Sequence, residues 1–238
     1  MKPVDVLAFG AHPDDVEIGC GGTVLKLTDA GRRVVVVDLT RGESGTRGTV
    51  ETREAEATAA SKILGLVTRE NLGLPDSHVR ADLDAKRAVV EAIRRWKPDS
   101  VFLPYRIDRH PDHEAASHLV YEAAFLAGLR RFETEQEPHR PNRLFYFVGW
   151  ADFEPTFIVD ITDQFERKME SIYAFSTQFT ASASPDPQTD LTSPRTDWRI
   201  RSRCAYYGSL IGVRYGEGFV IRGRLRADDP LQVDFRTF

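Results

Sequence analysis

Cysteine is nearly absent from this 238-residue chain: Cys20 and Cys204 are the only two, too few for a disulfide framework. A reduced, cytoplasmic protein is the resulting expectation. The first residues agree with it, since they run straight into a strand without an extended apolar segment or a small-residue cleavage site. Long apolar runs are missing as well, and nothing approaches the ~18 residues of a membrane span. Nor is there an excess of basic charge. Lys and Arg total 32 against 36 Asp and Glu, a net charge of −4, so no field exists to hold a nucleic-acid backbone non-specifically. Neither a membrane nor a nucleic-acid partner is expected. Histidine numbers only six, and His78, His118 and His139 lie outside any ligand-spaced cluster.

What is present is an ordinary globular composition, 41% hydrophobic and 29% charged, sufficient for one large core. We read residues 1–238 as a single domain. Val4, Val6, Leu7, Ala8 and Phe9 form a nearly continuous apolar run, as do Val34–Val37 and Val101–Leu103, the pattern of strands buried on both faces. Helices are expected over about 22–30, 50–64, 82–97, 112–126, 164–175 and 197–210, with Gly31 and Gly65 as stops and Asp82 as a cap. Further strands are expected at 68–72, 144–148, 157–161 and 219–221, followed by a polar tail. Strands alternate with helices through the first ~130 residues, which argues for βαβ units and a mostly parallel, Rossmann-like sheet with helices on both faces. Between Ser176 and Asp197 the chain turns rich in Ser, Thr, Pro and Asp, and a mobile surface loop is expected at about 176–197.

Two polar clusters stand at strand ends. The first is Gly10-Ala-His-Pro-Asp-Asp-Val-Glu17, and the second runs from Arg106 through His110-Pro-Asp-His113. In the strand order 3-2-1-4-5, strands 1 and 4 are neighbours at the switch point, where open α/β sheets bind ligands. Both clusters then face one crevice. A His-Pro-Asp motif alone is explained by proline at a helix's first turn and an acid where the dipole favours it; two on adjacent strands point to a site. Catalytic zinc takes three His or carboxylate ligands and keeps a position for water. His12 and Asp15 converge from one turn, His113 reaches in from the other, and Asp14 is left unligated as a general base. His110 is free as an electrostatic or acid group, with Asp112 a candidate to hold its ring. Glu17 is a third acid of the stretch, better suited to supporting the turn than to ligation. A dinucleotide site fits poorly, because Gly19-Cys-Gly-Gly22 is not Gly-x-Gly-x-x-Gly and Asp14, Asp15 and Glu17 would repel a pyrophosphate. Arg41, Arg47, Arg53, Arg106, Arg109 and Arg140 fall in or beside loops at strand ends, and a subset can bind an anionic group of a substrate.

These residues carry a resemblance. Ala11-His-Pro-Asp-Asp15 with His110-Pro-Asp-His113 is similar to the zinc N-deacetylases of the PIG-L/LmbE family. Asp14 to Thr23, Leu39-Thr-Arg-Gly-Glu43, Gly45 to Thr49, Glu51-Thr-Arg53, Asn71 to Asp76 and Gly212 to Phe219 resemble its bacillithiol-biosynthesis branch, the N-acetylglucosaminyl-malate deacetylases. The resemblance implies one zinc per chain on His12, Asp15 and His113, Asp14 as base, His110 as a charged partner of the oxyanion, and Arg53 on the malate carboxylates. It also implies a small N-acetylglucosaminyl conjugate as substrate and homo-oligomeric assembly. Arg140 is matched to an arginine that the family sets near its active site, and Tyr206, Tyr207, Tyr215 or Trp198 to a C-terminal aromatic near the oxyanion. Other readings stay open: a different N-acetyl sugar conjugate such as an inositol-linked or chitooligosaccharide-like one, a phosphate-ester hydrolase, or a sugar-binding module without catalysis.

Overall fold

The computed structural model describes residues 2–229; the polar tail beyond 229 lies outside the described residues. Seven strands form one sheet in the order β3-β2-β1-β4-β5-β7-β6. They are β1 (Val6–Gly10), β2 (Val34–Thr40), β3 (Thr68–Leu74), β4 (Ser100–Pro104), β5 (Arg143–Phe147), β6 (Phe157–Asp160) and β7 (Gly216–Val220). The first five are parallel in the expected order, and β7 joins β5 to β6 by antiparallel pairing. The result is a single α/β domain. Its helices are α1 (Asp15–Asp29), α2 (Val50–Leu64), α3 (Leu83–Trp96), α4 (Pro111–Ala127), α5 (Phe165–Tyr173), the short α6 (Ser176–Phe179) and α7 (Pro194–Leu210).

Alternation along the strands builds a core on each face. Leu7, Phe9, Val35, Val37, Val101 and Leu103 pack with α3 and α4 residues such as Val89, Ile93, Leu119 and Val120. Val6, Ala8, Val34, Val36 and Phe102 pack instead with Val16, Val24 and Leu25 of α1. A third cluster joins α2, α5 and α7 through Ala60, Phe165, Met169 and Ile200. Because β1 lies between β2 and β4, its carboxyl end opens at the switch point, where a crevice forms.

The largest difference from the sequence reading is in α1, which begins at Asp15 rather than near residue 22 and is broken at Cys20 (φ −148°, ψ 19°). Contacts that no local pattern encodes hold the break. Glu217 of β7 accepts from the Gly22 and Thr23 amides at 2.9 and 2.7 Å, capping the second segment. Lys168 of α5, fully buried, donates to the Glu17 and Ile18 carbonyls that end the first segment and pairs with Glu217 at 2.6 Å. Glycine is required here because a Cβ on Gly19 would lie 2.3 Å from the Phe147 ring, and one on Gly22 would lie 2.7 Å from Ile161. Cys20 and Cys204 are both free and buried.

Residues 176–197 carry helical turns, α6 followed by 3-10 turns at Ala181–Ala183 and Asp190–Thr192, where composition suggests irregular loop. Arg47 straps the segment. The side chain is 1% exposed and donates to the carbonyls of Thr177, Thr180, Ala181, Ser184, Asp186 and Pro187 at 2.6–3.4 Å. Its three guanidinium nitrogens are therefore committed to backbone, which removes Arg47 from the substrate-binding set. Arg47→Met is expected to lose about 3 kcal/mol, from buried carbonyls left without donors. A urea midpoint lowered accordingly, with early protease cleavage within 177–187, checks this.

Candidate active site

The crevice is a cavity of about 270 Å³ lined by His12, Asp14, Asp15, Arg53, His110 and His113, with Trp150 and Asp190 at its edge. The two histidine clusters arrive from the carboxyl ends of strands, Arg53 from the first turn of α2 and Asp190 from a 3-10 turn. β1 delivers His12, Asp14 and Asp15; β4 delivers His110, the N-cap of α4, with Pro111 next and His113 in the first turn.

Asp15 ties the clusters together. Its Oδ2 lies 3.5 Å from His12 Nδ1 and accepts the His12 amide at 2.9 Å, while Oδ1 lies 3.1 Å from His113 Nε2. The outer ring nitrogens each face carboxylates. His12 Nε2 sits 3.1 Å from Asp76 and 3.3 Å from Asp112, and His113 Nδ1 lies 3.3 Å from Asp108. Histidines that bind metal characteristically have the second nitrogen fixed by a carboxylate, and the His12 and His113 rings both meet that condition. His12, His110 and His113 also place ring nitrogens within 4.8 Å of one another, as do His12, Asp76 and Asp112 with their donor atoms.

The carboxylates behind the rings are themselves fixed. Asp76 accepts from the Ser44 amide at 2.8 Å, Asp112 from the Ser77 amide at 2.7 Å, and Asp108 from the Trp150 amide at 2.6 Å and the His110 amide at 2.9 Å. Burial opposes ionisation of Asp76 and Asp108, but His12 and the Ser44 amide, and His113 and the His110 amide, hold each at about 2. Neither acid is singled out by the sequence reading, although both carry a local signal: Asp76 stands two residues past the end of β3, and Asp108 lies inside the second cluster.

Asp14 differs from every other acid here. It is 5% exposed, and its backbone has φ 121°, a conformation that side-chain-bearing residues rarely adopt. Such a residue costs about 1–3 kcal/mol and is retained where a site requires it. Burial, reinforced by Asp15 and Glu17 and opposed by Arg53, pushes its carboxyl up to about 7. Arg53 Nη2 lies 3.3 Å from Asp14 Oδ2 and also donates to the Pro13 carbonyl, while its buried Nε has no partner among the described residues. Glu17 is not in the donor set, since it pairs with Arg69 at 2.6 Å beside Asp38.

Three expectations change. Asp112 does not hold the His110 ring with its carboxylate, which faces His12; its amide donates to His110 Nδ1 at 3.2 Å. Burial, together with the neighbouring His12 and His113, lowers the His110 pKa, and the amide bond at Nδ1 makes the ring a neutral Nε2–H donor rather than a charged one. Arg140 stands at the wrong end of α4: it donates to the Phe125 carbonyl and stacks on the Phe125 ring. The helix puts about 20 Å between that end and His113. Arg109 does reach the rim, 4.8 Å from the Trp150 ring centre and 3.5 Å from Asp190. The C-terminal aromatics divide: Tyr207 is buried, Tyr215 stacks on Phe165, Tyr206 and Trp198 are exposed, and none of the four lines the cavity.

A family model described as PIG-L, GlcNAc-PI de-N-acetylase, matches residues 7–124. Diacetylchitobiose deacetylase of Thermococcus kodakarensis is 33% identical over 229 residues, covering 90% of this chain and 81% of its own. A probable N-acetyl-alpha-D-glucosaminyl L-malate deacetylase 2 of Bacillus anthracis is 28% identical over 195 residues, covering 73% and 81%. The crystal structure of the conserved protein TT1542 from Thermus thermophilus superposes with a TM-score of 0.84 at 38% identity, covering 99% of this chain and 98% of that one.

Proposed function

This chain belongs to the PIG-L family and is an N-deacetylase; we propose that it hydrolyses the acetamide of an N-acetylglucosaminyl conjugate, N-acetylglucosaminyl-malate, to the free amine and acetate. The observation that carries the chemistry is Asp14, a buried, strained carboxylate poised near neutrality beside a His/Asp donor set. In this reading His12, Asp15 and His113 hold one zinc ion, which supplies Lewis acidity, lowering the pKa of water toward about 7 and polarising a carbonyl.

The chain's own groups do the rest. Asp14 accepts the proton of the water that attacks the acetyl carbon, and a base whose pKa is near the working pH suits that role. His110 donates from Nε2 to the oxygen that gains negative charge, a donor of the kind whose removal costs about 10²–10³ in kcat. A carbon–oxygen bond forms, the carbon–nitrogen bond breaks, and Asp14 returns its proton to the departing amine. Arg53 keeps Asp14 in place and offers its unpartnered Nε to the substrate. Asp76, Asp112 and Asp108 fix the two histidine rings.

Support for the malate conjugate comes from the segments quoted above, Glu51-Thr-Arg53 among them, and from the Bacillus anthracis relative. A second reading, a diacetylchitobiose-type substrate, is favoured by the higher identity and coverage of the Thermococcus relative. Primary-amine release separates them when N-acetylglucosaminyl-malate, its inositol counterpart, diacetylchitobiose and free N-acetylglucosamine are compared on metal-loaded protein. We expect kcat/KM on the malate conjugate to exceed the others by about tenfold or more, the worth of one good charged contact. Equal rates overturn the malate assignment, and no amine from any substrate overturns the deacetylase.

A further inference from the structure

Helix α7 carries Arg195, Arg199 and Arg203 at intervals of four, one stripe of the helix, with Trp198, Ser202 and Tyr206 as a second stripe beside it. Both stripes line a groove of about 1090 Å³ whose opposite wall includes Asp152 and Glu154. The groove is continuous with the catalytic cavity, since Trp150 and Asp190 line both. Among the described residues none of the three arginines has a carboxylate within 4.0 Å. Arg199 donates to the Trp150 carbonyl and Arg203 to the Gly149 carbonyl. Arg203 is 8% exposed, yet its buried Nη2 has no hydrogen-bond partner among those residues. An orphaned guanidinium nitrogen is costly unless something else satisfies it. Trp198, by contrast, is 71% exposed, an unusual setting for so large an apolar ring.

We infer that the α7 groove is the second half of the substrate site: it receives the carboxylate-bearing end of the conjugate on Arg195 and Arg203, while the acetamido sugar occupies the cavity below Trp150. This rests on the deacetylase reading above and moves the distal carboxylates from Arg53, whose Nη2 is held by Asp14 and the Pro13 carbonyl, to α7. Size supports the division, because about 270 Å³ is at the lower end of ligand pockets, which typically span about 300–1000 Å³. Charge supports it too: planar guanidinium groups free of protein carboxylates match carboxylates in two-point hydrogen bonds. Asp190 is already opposite Arg109, and Asp152 and Glu154, which line the groove but not the cavity, leave the arginine side of the groove as the one that favours an anion. The occupant is the anionic end of a small molecule.

The test uses Arg195→Met and Arg203→Met, leaving Arg199 to hold the Trp150 loop; Arg195 makes no side-chain bond to that loop, so its variant tests charge without disturbing the fold. Steady-state kinetics on N-acetylglucosaminyl-malate are compared with those on the neutral methyl N-acetylglucosaminide. Each variant is expected to raise KM for the anionic substrate about tenfold or more over its effect on the neutral one, with kcat little altered and Arg195→Lys recovering part of the loss. Equal losses on both substrates overturn the inference. Binding is read separately by tryptophan fluorescence with the same two compounds. If neither compound is hydrolysed but wild-type protein still prefers the anionic one and Arg195→Met abolishes the preference, the subsite stands and the deacetylase reading falls. If the variants break an oligomer in sedimentation while charge preference persists, the groove is a contact between copies and the inference falls.

Discussion

Asp14→Asn is expected to lower kcat by about 10²–10⁴, the usual worth of a positioned general base, while the protein keeps its metal. Asparagine preserves the shape of the side chain, and it is among the residues that best tolerate the positive φ found here. Loss of activity therefore cannot be attributed to a collapsed turn. Asp14 is placed to do more than attract metal, because the histidine rings flank Asp15, whereas Asp14 pairs with Arg53. Metal content by elemental analysis, measured beside amine release, separates the two roles. A variant with full metal and full rate removes Asp14 from the mechanism.

The second expectation concerns loading of the site. Burial alone would lower the pKa of His113, but Asp15 and Asp108 overcome it and raise the ring to about 9 in the metal-free protein. For His12, burial is likewise outweighed by Asp112, Asp15 and Asp76, and its pKa stands well above the ordinary value. Both rings are then protonated at pH 7, and a metal accepts only neutral imidazole. The sign follows: protons compete with metal, so affinity rises with pH through the region near 9 in which His113 gives up its proton. At pH 7 metal binding should expel the His113 proton, and the raised pKa of His12 adds to the release. A metal titration in weak buffer with a pH indicator measures this, and a titration without proton release excludes His12 and His113 as ligands. His113→Ala, lacking a donor and leaving Asp15 and Asp108 facing a gap, should reduce both metal content and turnover to background.

The parallel half of the sheet was legible because its strands are buried on both faces and therefore written as unbroken apolar runs, Val34–Val37 most plainly. The order of those strands, with β1 beside β4, is what brings His12 and His113 to one crevice. Antiparallel β7 is different. Its register depends on partners more than fifty residues away, and Gly216-Glu-Gly218 has no apolar pattern to announce a strand. Asp76 and Asp108 escaped notice because acids at loop ends are common, and their work shows only through ring nitrogens delivered by other segments. Arg47 looked like a substrate ligand for the same reason: a loop arginine's sequence says nothing of six carbonyls 130 residues downstream.

The broken helix α1 has a consequence for the order in which the molecule is made. Its first segment begins with Asp15, and the break behind it is held by Glu217, 195 residues downstream of the Gly22 amide it caps. A nascent chain emerging from the ribosome has both histidine clusters by residue 113, yet it lacks the side chain that fixes the turn between them and the sheet. Contacts of such long sequence separation form late, after the local ones. Metal captured early would therefore meet a pliable cluster, and the rigid one would arrive only when β7 slots between β5 and β6.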